Sequence, residues 1–291
     1  MSHSKRVPPL ALLAAWLCLS AASCGDSSPA PTPPAPSAAP SAAVETTHAP
    51  GGDQPERFTL EEAIAQRRED LKSAPGRTGI LAETKRYSLF DEELIIRDFF
   101  QDRRGGFFVD VGCAWPAKAN NTYYLEKHLD WKGIGIDALA EYALPWSLAR
   151  PNSKFFNYLV TDHSDTSEIF YKSQSIGLSS ADRSRADGRH FGGTLEVEEI
   201  ETQTIALTDL LDHEGVEKVD LLALDIEGFE MPALRGFDID RFSPDLVVVE
   251  GRSEEVAAYF ADHGYEPIES YRAFDLVNSY YRPIEVKAVT P

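Results

Sequence analysis

Five short apolar runs in this sequence end in or beside a carboxylate. Asp110 lies just before the glycine of FFVDVG (Phe107–Gly112), Asp137 closes GIGID (Gly133–Asp137), and Asp162 follows Thr161 after the run Lys154–Val160. Asp225 closes DLLALD (Asp220–Asp225) with Glu227 two residues on, and Glu250 closes DLVVVE (Asp245–Glu250). A carboxylate can accept hydrogen bonds from paired hydroxyls, hold a cationic amine, or take a proton from a nucleophile. Any one of these residues also reads as a solvated cap; five in succession point to a shared task.

Gly112 leads through Cys113–Ala119 into a helical stretch, which is where a nucleotide-cofactor turn sits. The turn is not GxGxxG, because Pro116 stands where a later glycine belongs, and no Walker lysine pattern is present. Asp137 lies about 25 residues beyond Gly112, the place of an acid that accepts both ribose hydroxyls. Ribose without pyrophosphate points to a nucleoside cofactor such as S-adenosylmethionine, whose cationic amino group would suit Asp110.

The elements that must position these groups can be read from the pattern between them. Apolar runs without alternation read as strands buried on both faces. Thr122–Leu129, Glu141–Ala149 and Glu254–His263 read as helices between them. The alternation predicts an α/β, doubly wound parallel sheet, whose crossover handedness brings every strand C-terminus to one edge, where ligands bind. Phe58–Arg104 reads as a helical lead-in. Thr59 and Glu62 have capping-box spacing there, Leu94, Ile95, Asp98 and Phe99 have helical spacing, and Gly105–Gly106 stops the helix.

The run Gly105–Ala138 resembles the FkbM family of methyltransferases. The shared features are a VDVG turn (Val109–Gly112), an NTY helix start (Asn121–Tyr123), a W-x-G pair (Trp131, Gly133) and an I-D strand end (Ile136–Asp137). Asp220–Glu250 resembles the same family's D-x-E-G-x-E block, here Asp225, Glu227, Gly228 and Glu230, and Tyr87–Phe100 resembles its lead-in. The likeness runs from Tyr87 to Tyr281. It implies a class I methyltransferase fold: a Rossmann-like, mostly parallel seven-stranded sheet with a reversed last strand, with Tyr265–Tyr271 and Phe274–Arg282 as strands six and seven. It also implies S-adenosylmethionine as cofactor and a hydroxyl of a sugar, polyketide or similar small molecule as acceptor. Carried over residue by residue, Asp110, Gly112 and Cys113 line the methionine end, Asp137 holds the ribose and Asp162 sits near adenine.

Asp225 and Glu227 are the candidate catalytic residues. Either can take the acceptor's proton, or the two can share a divalent cation; Glu227 also reads as a cap for the turn before Gly228. Ser173–Thr194 reads as a lid. Within it His190 reads as a surface histidine, while Arg183, Arg185 and Arg189 make the segment basic and suited to an anionic substrate.

The chain has 291 residues, with 47 acidic against 28 basic and a formal charge of −19. That balance argues against a nucleic-acid partner and against binding to anionic lipid. Lys5 and Arg6 precede an apolar stretch, Pro9–Ala22, that is short for a membrane span and has the order of a signal peptide (residues 1–23). Ala21-Ala22-Ser23-Cys24 resembles a bacterial lipobox, with Ala21 where leucine is usual. A Pro/Ala/Ser-rich stretch (24–57) then reads as a mobile tether before the lead-in (58–104) and the catalytic domain (105–291). The expectation is an exported envelope lipoprotein held to the membrane at Cys24, acting on a small-molecule hydroxyl that includes a sugar or lipid-linked glycan. Two alternatives stand beside it: an uncleaved N-terminus facing the cytoplasm, and an inactive binding module, since export removes the domain from where the cofactor is made.

Overall fold

A computed structural model describes residues 76–284 except Gly193 and Leu276. The expected signal peptide, Cys24, the tether and the Thr59–Glu62 capping box lie outside the described residues. The strands, in chain order, are β1 (Phe107–Val111), β2 (Lys132–Asp137), β3 (Ser153–Asn157), β4 (Leu159–Thr161), β5 (Ser167–Ser173), β6 (Val197–Ala206), β7 (Leu221–Leu224), β8 (Leu246–Glu250), β9 (Tyr265–Pro267) and β10 (Asn278–Pro283). The α-helices are α1 (Glu92–Phe100), α2 (Tyr123–Leu129), α3 (Ala143–Ala149), α4 (Arg183–Ala186), α5 (Leu207–His213), α6 (Glu230–Arg235), α7 (Ile239–Phe242) and α8 (Glu254–Asp262).

Seven strands form one sheet in the order β3-β2-β1-β7-β8-β10-β9. Neighbours from β3 through β8 are parallel, and β10 runs antiparallel to both β8 and β9. This is the doubly wound sheet that the sequence pattern predicts, with the reversed last strand that the family resemblance implies. Strand alternation divides the core in two. Val109, Val111, Leu222, Leu224, Val247 and Val249 join one buried cluster, while Phe108, Leu221, Ala223, Leu246 and Val248 join another. Both faces of the central strands are therefore covered, which is why their sequences are unbroken apolar runs. The glycines of GIGID have a packing cause: a Cβ on Gly133 would strike the Phe108 ring, and one on Gly135 would strike Trp146.

Four expectations are corrected. The third strand ends at Asn157, with the Tyr158 N–H as its last rung onto the Asp137 carbonyl (3.1 Å), which Asn157 Nδ2 also reaches (2.9 Å). The next strand, β4, pairs with β6 in a separate three-stranded sheet, β4-β6-β5, that the apolar pattern does not predict. Of the described lead-in, only Gly79–Ala82 (a 3-10 turn) and α1 are helical, and α1 ends at Gln101 in a left-handed conformation (φ 50°), ahead of Gly105. β9 and β10 are shorter than the runs assigned to strands six and seven. Among the described residues no helix is long and apolar enough to cross a membrane.

Candidate active site

The strand order reverses between β1 and β7, and a cavity opens at the C-terminal ends of the strands there. The turn after β1 is built around Gly112 (φ 77°), where a Cβ would overlap the Asp225 carbonyl oxygen. Only glycine lets the β1 and β7 ends approach this closely. The loop after this turn is held by a buried polar network. Asp110 Oδ2 accepts from the Thr122 hydroxyl (2.7 Å) and from Asn120 Nδ2 (3.3 Å). Asn120 Oδ1 accepts the Thr122 and Tyr123 N–H groups (3.0 and 2.8 Å), which orders the start of α2. Arg150, 1% exposed, donates to Glu126 Oε2 (2.6 Å), the Pro116 carbonyl (2.9 Å), Asn120 Oδ1 (3.1 Å) and Thr122 Oγ1 (3.1 Å). Its guanidinium also lies 4.3 Å from the Trp146 ring centroid.

Asp137 forms the cavity wall at the end of β2. Its Oδ2 accepts the Ala114 N–H (3.0 Å) and its Oδ1 the Leu139 N–H (2.9 Å). Two of a carboxylate's four acceptor positions are thus used, and the others remain for a ligand. Burial lifts its carboxyl to about 6, against the pull of those two N–H groups, so it is mostly ionised at neutral pH. Beside it, the Tyr142 hydroxyl is buried and has no hydrogen-bond partner. Leu139, Leu159 and Phe170 add an apolar wall, and the half-exposed Trp115 sets its ring edge-on to Tyr142 (5.3 Å).

The opposite wall is acidic. Carboxylate oxygens of Asp225, Glu227 and Glu250 lie within 4.8 Å of one another, a spacing that a divalent cation could bridge. Asp225 is exposed to solvent within the cavity, and the protein packed around it still pushes its carboxyl well up. Repulsion from Glu250 and a hydrogen bond donated to Glu250 push it further. Burial likewise lifts Glu250 to about 8. Glu227 is raised well above the usual carboxylate range by burial and then by Asp225, with Arg185 pulling it down (Nη1 to Oε2, 3.9 Å). Glu227 also has a left-handed backbone (φ 53°), held by the Ser180 hydroxyl, which donates to its carbonyl (3.0 Å).

The structure brings Gly112, Asp137, Asp225 and Glu227 to this one cavity, and with them Glu250 and His190. Asp110, Cys113 and Asp162, expected at the cofactor, do not line it. Asp110 lies on the opposite face of β1 from Val109 and Val111, and its Oδ2 is taken by Thr122 and Asn120. Cys113 packs into the core with its thiol pushed well up by burial and by Asp137, which leaves it protonated and unreactive. Asp162 comes after a strand that has left the main sheet, and its half-exposed side chain pairs with His163 (2.7 Å). The basic character of the hairpin segment is neutralised: Arg183 pairs with Glu199, Arg185 with Glu227 and Arg189 with Asp187. Sequence reasoning missed Asn120, Arg150, Tyr142 and Glu92. Of these Glu92 had a signal, as an acid opening a helix, and it lines the cavity beside Asn278.

Residues 110–267, more than half the chain, match the Methyltransferase FkbM domain. The chain belongs to the FkbM methyltransferase family. No curated protein sequence matches it. Among solved structures, a TehB-like SAM-dependent methyltransferase from Corynebacterium glutamicum is 14% identical, over 77% of this chain and 97% of that one (TM-score 0.36). A 1,6-didemethyltoxoflavin-N1-methyltransferase from Burkholderia thailandensis, with 1,6-didemethyltoxoflavin and S-adenosylhomocysteine bound, is 9% identical over 79% and 91% (TM-score 0.34). The methyl donor that the family implies is S-adenosylmethionine, and the residues present fit it. Asp137 has free acceptor positions, the Tyr142 hydroxyl is buried without a partner, and the wall beside them is apolar.

Proposed function

We propose that the protein transfers a methyl group from S-adenosylmethionine to a hydroxyl oxygen of a small molecule or sugar, a lipid-linked glycan included. The observation that carries this reading is one cavity with two unlike walls: Asp137 at the end of β2 with acceptor positions to spare, and Glu227 across from it beside the glycine turn. When bound, S-adenosylmethionine supplies an electrophilic methyl group on a sulfonium sulfur. Asp137 holds the ribose hydroxyls, and Gly112 leaves the turn low enough for β1 and β7 to close behind them.

A neutral hydroxyl must lose its proton as its oxygen attacks carbon. Glu227 is the base in this reading. Burial and its neighbour Glu250 push the Asp225 carboxyl well up, whereas Glu227 faces the cavity with Arg185 beside it pulling its carboxyl down and its backbone fixed by Ser180. Its raised affinity for a proton makes it a stronger base than an exposed carboxylate. Positioning the hydroxyl between Glu227 and the donor supplies the rest of the rate.

In this reading a lipid-anchored Cys24 and the tether after it hold the domain at the envelope. Calorimetric titration with S-adenosylhomocysteine tests the donor site, and transfer of label from tritiated S-adenosylmethionine into envelope extract tests the reaction. Binding of the cofactor product would count against the inactive module, and no binding would sink the methyltransferase reading and favour that module. Acylation at Cys24, read by mass spectrometry of the native chain, tests the location.

A further inference from the structure

The insertion between β5 and β6 crosses from the small sheet to the carboxylate wall. The two strands pair from Ser167↔Gln203 to Ser173↔Val197, and the chain between them folds back on β5 through reciprocal backbone bonds of Tyr171 and Ser180 (2.9 and 3.1 Å). Asp182 caps α4 by accepting the Ser184 N–H (2.8 Å). The insertion is thus an ordered element, and Ser179, Ala181 and Arg185 from it line the cavity. Two of its arginines are satisfied within the hairpin, Arg183 by Glu199 and Arg189 by Asp187. Arg185 instead reaches out to the turn after β7, where its guanidinium faces Glu227. The glycine of D-x-E-G-x-E explains how it gets there. Gly228 has φ 90°, and the space a Cβ would occupy is filled by the Arg185 side chain, from Cδ to Cζ. A side chain at 228 would strain this backbone and would push Arg185 out of its present seat.

We propose that Arg185 is a positioning residue: it seats the β5–β6 insertion on Gly228 and sets the direction of the Glu227 carboxylate. The seat and the base are then a single assembly, so the insertion cannot leave the cavity without taking from Glu227 its nearest cation. This rests on reading Glu227 as the base. The seat itself is judged by structure alone, without any activity.

Hydrogen exchange of the full chain, at residues 177–190, reads the seat. Arg185→Ala should quicken exchange there on the order of three- to tenfold while the central strands keep their protection, the size expected for a partly exposed contact. Gly228→Ala should quicken the same amides, and Arg185→Ala added to Gly228→Ala should add little, because both remove one contact. Methyl transfer to envelope extract should fall in Arg185→Ala through kcat, at unchanged affinity for S-adenosylhomocysteine, and Arg185→Lys should restore part of it. Unchanged exchange in Arg185→Ala, additive effects in the double variant, or Arg185→Lys as inactive as Arg185→Ala would each overturn the proposal. If the wild-type chain binds no S-adenosylhomocysteine, the methyltransferase reading fails, while the exchange results still decide the seat.

Discussion

Two groups of acids, one buried and one lining the cavity, stand near each other in this fold and are built in opposite ways. Around Asp110 and Glu126, every carboxylate named has donors: Thr122 and Asn120 for the first, Arg150, Ser153 and the Asn152 N–H for the second. One buried arginine sits at the centre. Around Asp225, Glu227 and Glu250, the acids face each other, and the cation beside them, Arg185, stands 3.9 Å off. A satisfied buried network holds a loop in place, because breaking it leaves a charge in the low-dielectric interior. An unsatisfied one raises each acid's affinity for a proton, and a raised affinity at a cavity wall is what general-base chemistry uses. The two are joined at Gly112, whose turn belongs to the first and whose contact with the Asp225 carbonyl belongs to the second.

The contrast fails if substitutions on the two sides have the same consequences. The largest effect should come from Arg150→Ala, which leaves Glu126 buried and uncompensated. Urea unfolding should show a loss of about 3–5 kcal/mol. A loss under about 1 kcal/mol would mean the network is not the scaffold described. Glu227→Gln should do the reverse: stability held or slightly raised, S-adenosylhomocysteine affinity kept within about twofold, and methyl transfer down about a hundredfold or more. Unfolding of this variant at lower urea would place Glu227 with the scaffold instead. Asp137→Asn should weaken S-adenosylhomocysteine about ten- to a hundredfold, the cost of losing a charged hydrogen-bond acceptor. Equal affinity would remove Asp137 from the ribose.

The smallest expected effect is on pH. Glu250 and Glu92 are each raised to about 8, in both cases first by burial, with Glu227 adding for Glu250 and Asp275 for Glu92. In the unfolded chain they titrate near 4.5. A folded-state value above the unfolded one contributes stability that is full below the unfolded value and is lost as pH rises through the folded value. The melting temperature of the ligand-free protein should therefore fall by several degrees between about pH 5 and 8, and Glu250→Gln should flatten part of that slope. A flat wild-type profile would mean that these acids are ionised in the folded protein and that the two groups differ less than their geometry indicates.

Much of the frame was legible in the chain. Four of the five apolar runs became β1, β2, β7 and β8, because strands buried on both faces leave no polar alternation to disguise them, while the third was divided between the edge strand β3 and β4. β5 and β6 were not legible. SEIFYKS and VEEIETQTIA keep much of their surface in solvent and carry charges that read as loop. Asp162 was misplaced for a related reason. The third strand stops at Asn157, and Leu159–Thr161, which leads to Asp162, pairs in the smaller sheet. Asp110 was assigned to the cofactor because its neighbour Gly112 is there. Gly112 lies past the strand in a left-handed turn (φ 77°), while the Asp110 carboxylate is claimed by partners 10 and 12 residues away.

The sequence by itself determined the parallel sheet, the edge on which the carboxylates gather, the glycine turn and the two motif blocks that mark the family. These are properties of local pattern: apolar runs, helix signals between them, and a crossover hand that leaves one arrangement of strand ends. Only the tertiary structure decided which carboxylates are scaffold and which face the cavity. That depends on which side of a strand each side chain leaves from and on whether a donor such as Arg150 or Arg185 arrives from elsewhere in the chain. Burial and pairing set the charge of an acid, and neither is a property of the residues beside it in sequence.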